Sequence, residues 1–174
     1  MPGQHQNDMY VFIVGQMRYI VLNSEVYYSM QFSQNDVQRQ QLWLEQQLEL
    51  ANRMRALHPW VVVLIHRPIY CSASALLRCG NGQSEVIIKN NRHLNKSESI
   101  FSSNISFHKH KRLRVNLEEI FYRHGVDMVI VGHNHHYERS HPVYKKQVLG
   151  SRSIQMVRNP PATIYLVNGA AVSS

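Results

Sequence analysis

Histidines stand directly after two apolar runs of this sequence. His133 and His135, one residue apart, follow Gly132 at the end of one run, and His66 follows the run at 60–65. Neutral imidazole is the commonest metal-ligating side chain near physiological pH. Three nitrogen ligands suit zinc, iron, manganese or copper better than calcium or magnesium, which prefer oxygen. The sequence therefore predicts a metal site at His66, His133 and His135, if the fold brings the two runs together.

The elements that must position these histidines follow a β-α-β order. A glycine, Gly15, joins two short strand-like segments into a predicted hairpin. Ser33 and Asp36 have the spacing of a capping box, and Pro59 ends the helix that they begin. Strands are predicted at 10–14, 19–22, 60–65, 128–131 and 163–167, and a second helix from about Val115 to Gly125.

This order predicts an α/β fold with a mostly parallel sheet and helices on its faces. In such sheets ligands bind at the carboxyl ends of the strands. His66 and His133 both follow a predicted strand at that end. We expect Gly132 to allow the sharp turn by which the chain leaves the second of these strands.

Length and charge limit the classes of function. A chain of 174 residues with 44% hydrophobic residues is sufficient for one domain with a core. It has no apolar stretch long enough to span a membrane and no apolar signal segment at its start. A net charge of +8 favours anionic partners. The basic run at 109–114 (Lys109, Lys111, Arg112 and Arg114) is interpreted as a solvated loop, with nucleic-acid or polyanion contact as the less favoured alternative.

A polar stretch at about 80–114 is predicted to be a surface loop or insertion. Cys71 and Cys79, eight residues apart, form either a small disulfide-closed loop or a pair of free thiols. Asn95 and Asn104 each begin a glycosylation acceptor triplet. Together these features favour an oxidising, secretory setting.

Two long motifs resemble those of the purple acid phosphatases, members of the calcineurin-like metallophosphoesterase group. They are 66–72 (His-Arg-Pro-Ile-Tyr-Cys-Ser) and 132–140 (Gly-His-Asn-His-His-Tyr-Glu-Arg-Ser). The resemblance continues at 22–25, 43–44 and 142–144. It implies part of a metallophosphoesterase β-sandwich flanked by helices. It also implies hydrolysis of phosphate monoesters at a binuclear centre of iron(III) with iron, zinc or manganese.

Carried over by resemblance, His66 and His133 would ligate the divalent metal and His135 the iron(III). Such metals polarise phosphoryl oxygens, lower the pKa of bound water and stabilise the leaving oxygen.

The residues after these histidines have weaker assignments. His136 is interpreted as a surface ring in preference to an added proton donor. Glu138 and Arg139 are a catalytic acid and an anion clamp, or a charge pair that fixes the turn; the latter is favoured. We expect Tyr137, Glu138 and Arg139 to support the metal ligands without binding the metal.

The family's other ligands lie in Gly-Asp, Gly-Asp-x-x-Tyr and Gly-Asn-His-Glu motifs, and none of these occurs here. The only aspartates of the sequence, Asp8, Asp36 and Asp127, stand in other contexts. We therefore expect residues 1–174 to be the C-terminal part of one catalytic domain from a secreted or lysosomal-type parent. Alone, this part should expose apolar strand surface, bind metal weakly and show little phosphatase activity. The alternatives are another calcineurin-like phosphodiesterase and a non-catalytic metal- or anion-binding remnant.

Overall fold

The structure, a computed structural model, describes residues 8–70, 104–150 and 157–169. The predictions for Cys71, Cys79 and Asn95 lie outside these residues. None of the helices in the described part is long and apolar enough to cross a membrane. The strands are β1 (Tyr10–Val14), β2 (Met17–Val21), β3 (Trp60–Ile65), β4 (Met128–Val131), β5 (Tyr137–Arg139), β6 (Val143–Tyr144), β7 (Gln147–Val148) and β8 (Ile164–Asn168). The helices are a 3₁₀ helix (Ser24–Tyr27), α1 (Gln34–Arg53) and α2 (Asn104–Arg123).

The central sheet has six strands in the order β1-β2-β3-β4-β8-β5. Strands β2, β3, β4 and β8 run parallel to one another, and β1 and β5 pair antiparallel at the two edges. A separate two-stranded ribbon joins β6 and β7. The predicted α/β fold with a mostly parallel sheet is thus confirmed, and β3 and β4 are neighbours.

Local signals that the sequence carries are also confirmed. Gly15 has a φ of 58° between β1 and β2, a left-handed conformation that favours glycine in a hairpin turn. Ser33 caps α1 with both hydrogen bonds of the capping box, its partner being Asp36. Gly125, with a φ of 64°, follows the end of α2.

The predicted start of α2 is wrong. The helix begins at Asn104, about three turns before Val115, so the part of the polar loop that was expected at 104–114 is helical. Lysine and arginine are good helix formers, and the fully buried Leu113 lies one turn before Leu117 on the same face. The dense basic charge of 109–114 concealed this apolar stripe. The basic run therefore lies on a helix and not in a loop.

The two faces of the sheet differ in what covers them. On one face Ile20, Val63 and Val129 join the core with side chains from α1 and α2. The other face is also apolar, and the strand pairing aligns Phe12, Tyr19, Val62, Met128 and Ile164 in one row across it.

Part of this second face is exposed. Trp60 is 45% exposed and Phe12 is 37% exposed, and Tyr10, Val14 and Met17 are exposed beside them. This confirms the expectation that the chain by itself exposes apolar strand surface.

Candidate metal centre

Backbone hydrogen bonds hold the ends of β3 and β4 together. Ile65 and Val131 are in register as the last residues of the two strands. The carbonyl of His66 then accepts the N–H groups of Gly132 at 3.3 Å and His133 at 2.9 Å. The two turns that carry the histidines are therefore fixed against each other before any side chain contributes.

The side chains of these two histidines meet at this edge. Nδ1 of His133 lies 2.9 Å from Nε2 of His66, and the rings stand edge to face at 83°. Metal–imidazole bonds are about 2.0–2.1 Å long, so two nitrogens this close fit adjacent positions around one ion, at an angle of roughly 90°. The parallel strand order thus brings the two imidazoles together as predicted, and their role as ligands of one metal stays a prediction.

The third predicted ligand does not join this pair. His135 is exposed, two residues beyond His133. Within residues 8–70, 104–150 and 157–169, no group of three or more His, Cys, Asp or Glu side chains is arranged to hold a metal ion. The role of His135 as a ligand thus stays a prediction.

His136 and Glu138 form a pair of their own. Nε2 of His136 lies 3.2 Å from Oε2 of Glu138, whose side chain is 13% exposed. The residues before and after Glu138 in β5, Tyr137 and Arg139, are exposed. His136 is half-buried and in contact with a carboxylate, so its ring is more confined than the favoured surface interpretation expected. The contact agrees with a turn-fixing role for Glu138, which stays a prediction.

The glycine that this site requires is not the one that the sequence indicated. Gly132 does not have a positive φ, and a Cβ added there would meet nothing within 4 Å among the described residues. At Gly169, directly after β8, a Cβ would lie 2.5 Å from the carbonyl oxygen of Gly132 and 2.9 Å from the carbonyl carbon of Asn134, and closer still to the oxygen of Asn134. Gly169 also donates its N–H to the carbonyl of His136 at 3.2 Å. The expectation for Gly132 is therefore wrong, and Gly169 is the residue whose small size is needed by the turn at 132–136, here called the histidine turn.

The sequence alone did not indicate a role for Arg67, which lies beside the pair His66 and His133. Arg67 donates from Nε and Nη2 to the two carboxylate oxygens of Glu25, at 2.6 and 3.0 Å. Its Nη1 lies 3.5 Å from Nε2 of His133, and its guanidinium lies 4.7 Å from the centroid of the Tyr28 ring. The hydrogen bond from Arg67 lowers the pKa of Glu25 below its usual value. The segments 66–72 and 22–25 were both singled out, but no sequence pattern linked these two residues.

A protein-family model covers most of the chain. The model for calcineurin-like phosphoesterases matches residues 4–137. This range contains β3, β4 and all three predicted histidine ligands.

Relatives and solved structures agree with this match. Acid phosphatase type 7 of Homo sapiens is 32% identical over 171 residues, which cover 98% of this chain and 34% of the relative. Purple acid phosphatase 21 of Arabidopsis thaliana is 29% identical over 143 residues, or 82% of this chain and 24% of the relative. A purple acid phosphatase structure from yellow lupin seeds (Lupinus luteus) superposes with a TM-score of 0.59 at 20% identity, and covers 98% of this chain and 24% of that one.

At 20% identity the lupin structure shows a shared fold. The chain spans about a third of the length of the human relative. Because the family model matches well over half of the residues, the chain belongs to the calcineurin-like phosphoesterase family.

Proposed function

We propose that this chain supplies the histidine ligands of a binuclear metal centre that hydrolyses phosphate monoesters. The observation that carries the proposal is the facing of His133 Nδ1 and His66 Nε2 at the carboxyl edge of the sheet. Relatives named as acid phosphatases support the choice of phosphate monoesters over other substrates.

When bound, two metals of such a centre polarise the phosphoryl oxygens and lower the pKa of a bound water. The chain's own residues bind the metals and orient the segments that carry the ligands. His66 and His133 would hold the divalent ion, and His135, two residues beyond His133, would hold the second. Glu138 fixes the ring of His136, and Gly169 leaves the room in which this turn packs against the end of β8.

The aspartates of this chain already have structural roles, which supports ligands from outside these 174 residues. Asp127 accepts from Arg55 at 2.6 Å and from the backbone N–H of Val61 at 2.7 Å, near the amino ends of β3 and β4. Asp36 accepts a hydrogen bond from the backbone N–H of Ser33 at 2.8 Å, as part of the capping box of α1. Asp8 lies 3.4 Å from the amide of Asn23. We propose that the remaining ligands, including those that bridge the metals, come from another segment of a longer protein.

We further propose iron(III) paired with iron, zinc or manganese, as the resemblance implies, and a secretory or lysosomal-type location. The two cysteines and the two acceptor triplets at Asn95 and Asn104 support this location. A mass decrease on glycosidase treatment of the protein from its native source would test it. An unmodified mass would contradict it.

The test is an activity assay of the longest natural protein that contains this chain, with a chromogenic phosphate monoester and the matching diester as substrates. We expect the monoester to be hydrolysed faster. The variants His66→Ala and His133→Ala should each lose at least about 100-fold in activity, together with bound metal. His124→Ala, before the amino end of β4, is the control and should keep both.

Full activity and metal content in the His66 and His133 variants would overturn the proposal. Faster turnover of the diester would favour a phosphodiesterase instead.

A further inference from the structure

The metal chemistry proposed above gives no role to Arg67, a charged side chain beside the histidine pair. We infer that Arg67 is a phosphate-binding residue, whose guanidinium donates to a phosphoryl oxygen of the substrate next to His66 and His133. This inference rests on the proposed function and names a specific contact within it.

Arg67 is held in one orientation from three sides. Glu25 binds its Nε and Nη2 through both carboxylate oxygens, and the ring of Tyr28 lies against the guanidinium at 4.7 Å. Its backbone N–H donates to the buried hydroxyl of Ser24 at 3.1 Å. A guanidinium fixed in this way gives up little conformational entropy when it binds a ligand.

Within the described part of the chain, Arg67 has hydrogen-bond donors that Glu25 does not use. A guanidinium carries five N–H groups, and Glu25 takes two of them. Among the described residues, the hydrogen-bonding neighbour of Nη1 is Nε2 of His133 at 3.5 Å, and the Arg67 side chain is 28% exposed. A ring nitrogen accepts a hydrogen bond only when it carries no proton. If Nδ1 of His133 binds a metal, Nε2 carries the proton, and Nη1 then needs another acceptor.

The acceptor that suits these donors is an anionic oxygen. The planar fork of arginine matches phosphate geometry, and a charge-assisted hydrogen bond is about twice as strong as a neutral one. Glu25 balances the charge of Arg67, so the guanidinium acts by directed hydrogen bonds and adds no net positive charge beside the metal ligands. A phosphoryl group at the histidine pair would lie within reach of Nη1.

Arg55 is a matched comparison at the opposite end of the same strands. It also pairs with a carboxylate, Asp127, at 2.6 Å, but its other donors are occupied by Asn52 Oδ1 at 3.1 Å and by the carbonyls of Pro59 and Gly125. Arg55 thus joins loops together, whereas Arg67 retains donors beside the candidate site.

The experiment measures binding of inorganic phosphate to the Zn²⁺-loaded chain by NMR titration, with the Nε–H resonance of Arg67 as the local probe. Arg67→Lys and Arg67→Gln should weaken phosphate binding about tenfold or more, the loss of one charge-assisted hydrogen bond. The Zn²⁺ content per chain should not change. Arg55→Lys should lower the thermal midpoint and leave the phosphate dissociation constant unchanged.

In the wild-type chain, phosphate should shift the Arg67 resonance only when Zn²⁺ is present. If the Arg67 variants do not fold, this resonance shift still tests whether Arg67 binds phosphate. Phosphate binding with no shift of this resonance, or equal affinity in a folded Arg67→Gln variant, would overturn the inference and leave the proposed function standing. If the wild-type chain binds no phosphate and the longest natural form hydrolyses no phosphate ester, the proposed function fails, and the inference fails with it.

Discussion

Replacing Gly169 by alanine should damage the histidine turn. The new methyl group would lie 2.5 Å from the carbonyl oxygen of Gly132 and within 3 Å of the carbonyl carbon of Asn134. These neighbours are backbone atoms of the segment that carries His133, and Asn134 is buried, so they cannot move aside as a flexible side chain would. The turn itself must shift, and the position of His133 with it.

The expected cost follows from these contacts. Overpacking costs about 1–3 kcal/mol, and contacts to backbone place Gly169→Ala at about 3 kcal/mol. For a chain of this size that corresponds to a fall of about 6–12 °C in thermal midpoint. Displacement of a metal ligand should also weaken Zn²⁺ binding about 10- to 100-fold. Urea denaturation and calorimetric titration with Zn²⁺ measure the two effects.

Gly132→Ala is the control. Its added Cβ meets nothing within 4 Å in the described part of the chain, and its φ is not positive. We expect a change within about 0.5 kcal/mol and unchanged Zn²⁺ binding. Equal losses in the two variants, or wild-type behaviour of Gly169→Ala, would refute the claim that this close approach positions the histidine turn.

Three further predictions concern stability. Ser33→Ala removes the cap of α1 and should cost about 1 kcal/mol in urea denaturation; a loss below 0.3 kcal/mol, roughly a third of the usual value, would show that the cap is unimportant. Arg67 lowers the pKa of Glu25 in the folded protein below 4.5. The Glu25–Arg67 pair therefore stabilises the fold above about pH 4.5, and this stabilisation is lost as the pH falls through the folded-state pKa of Glu25. Stability should therefore fall less between pH 7 and pH 3 in Glu25→Gln than in the wild type, and parallel pH profiles would contradict this. Tyr70→Phe removes a hydroxyl that donates to buried Glu118 and should cost about 1–3 kcal/mol; combining it with Glu118→Gln should be non-additive, and simple additivity would argue against the pair.

The strands that lead to the metal ligands could be predicted because they are short runs of apolar residues. Their parallel orientation followed from the β-α-β order, in which a helix connects two parallel strands of one sheet. The convergence of His66 and His133 was therefore available from the sequence. The first turns of α2 were not, since the charges of the basic run conceal a stripe that continues to Leu113.

Other features of the site depend on tertiary structure alone. Glu25 and Arg67 are 42 residues apart, and their pairing needs the 3₁₀ helix to lie against the end of β3. Gly169 is important because the backbone segments that follow β4 and β8 lie very close together. No local sequence pattern predicts this contact.

The most direct test of the central claim uses the purified 174-residue protein, with metal content per chain and turnover of a chromogenic phosphate ester measured on the same sample. If the chain carries only the histidine part of a binuclear site, it should hold at most one weakly bound metal, lose it in His66→Ala and His133→Ala, and show little turnover. Two tightly bound metals per chain together with measurable phosphatase activity would contradict the account.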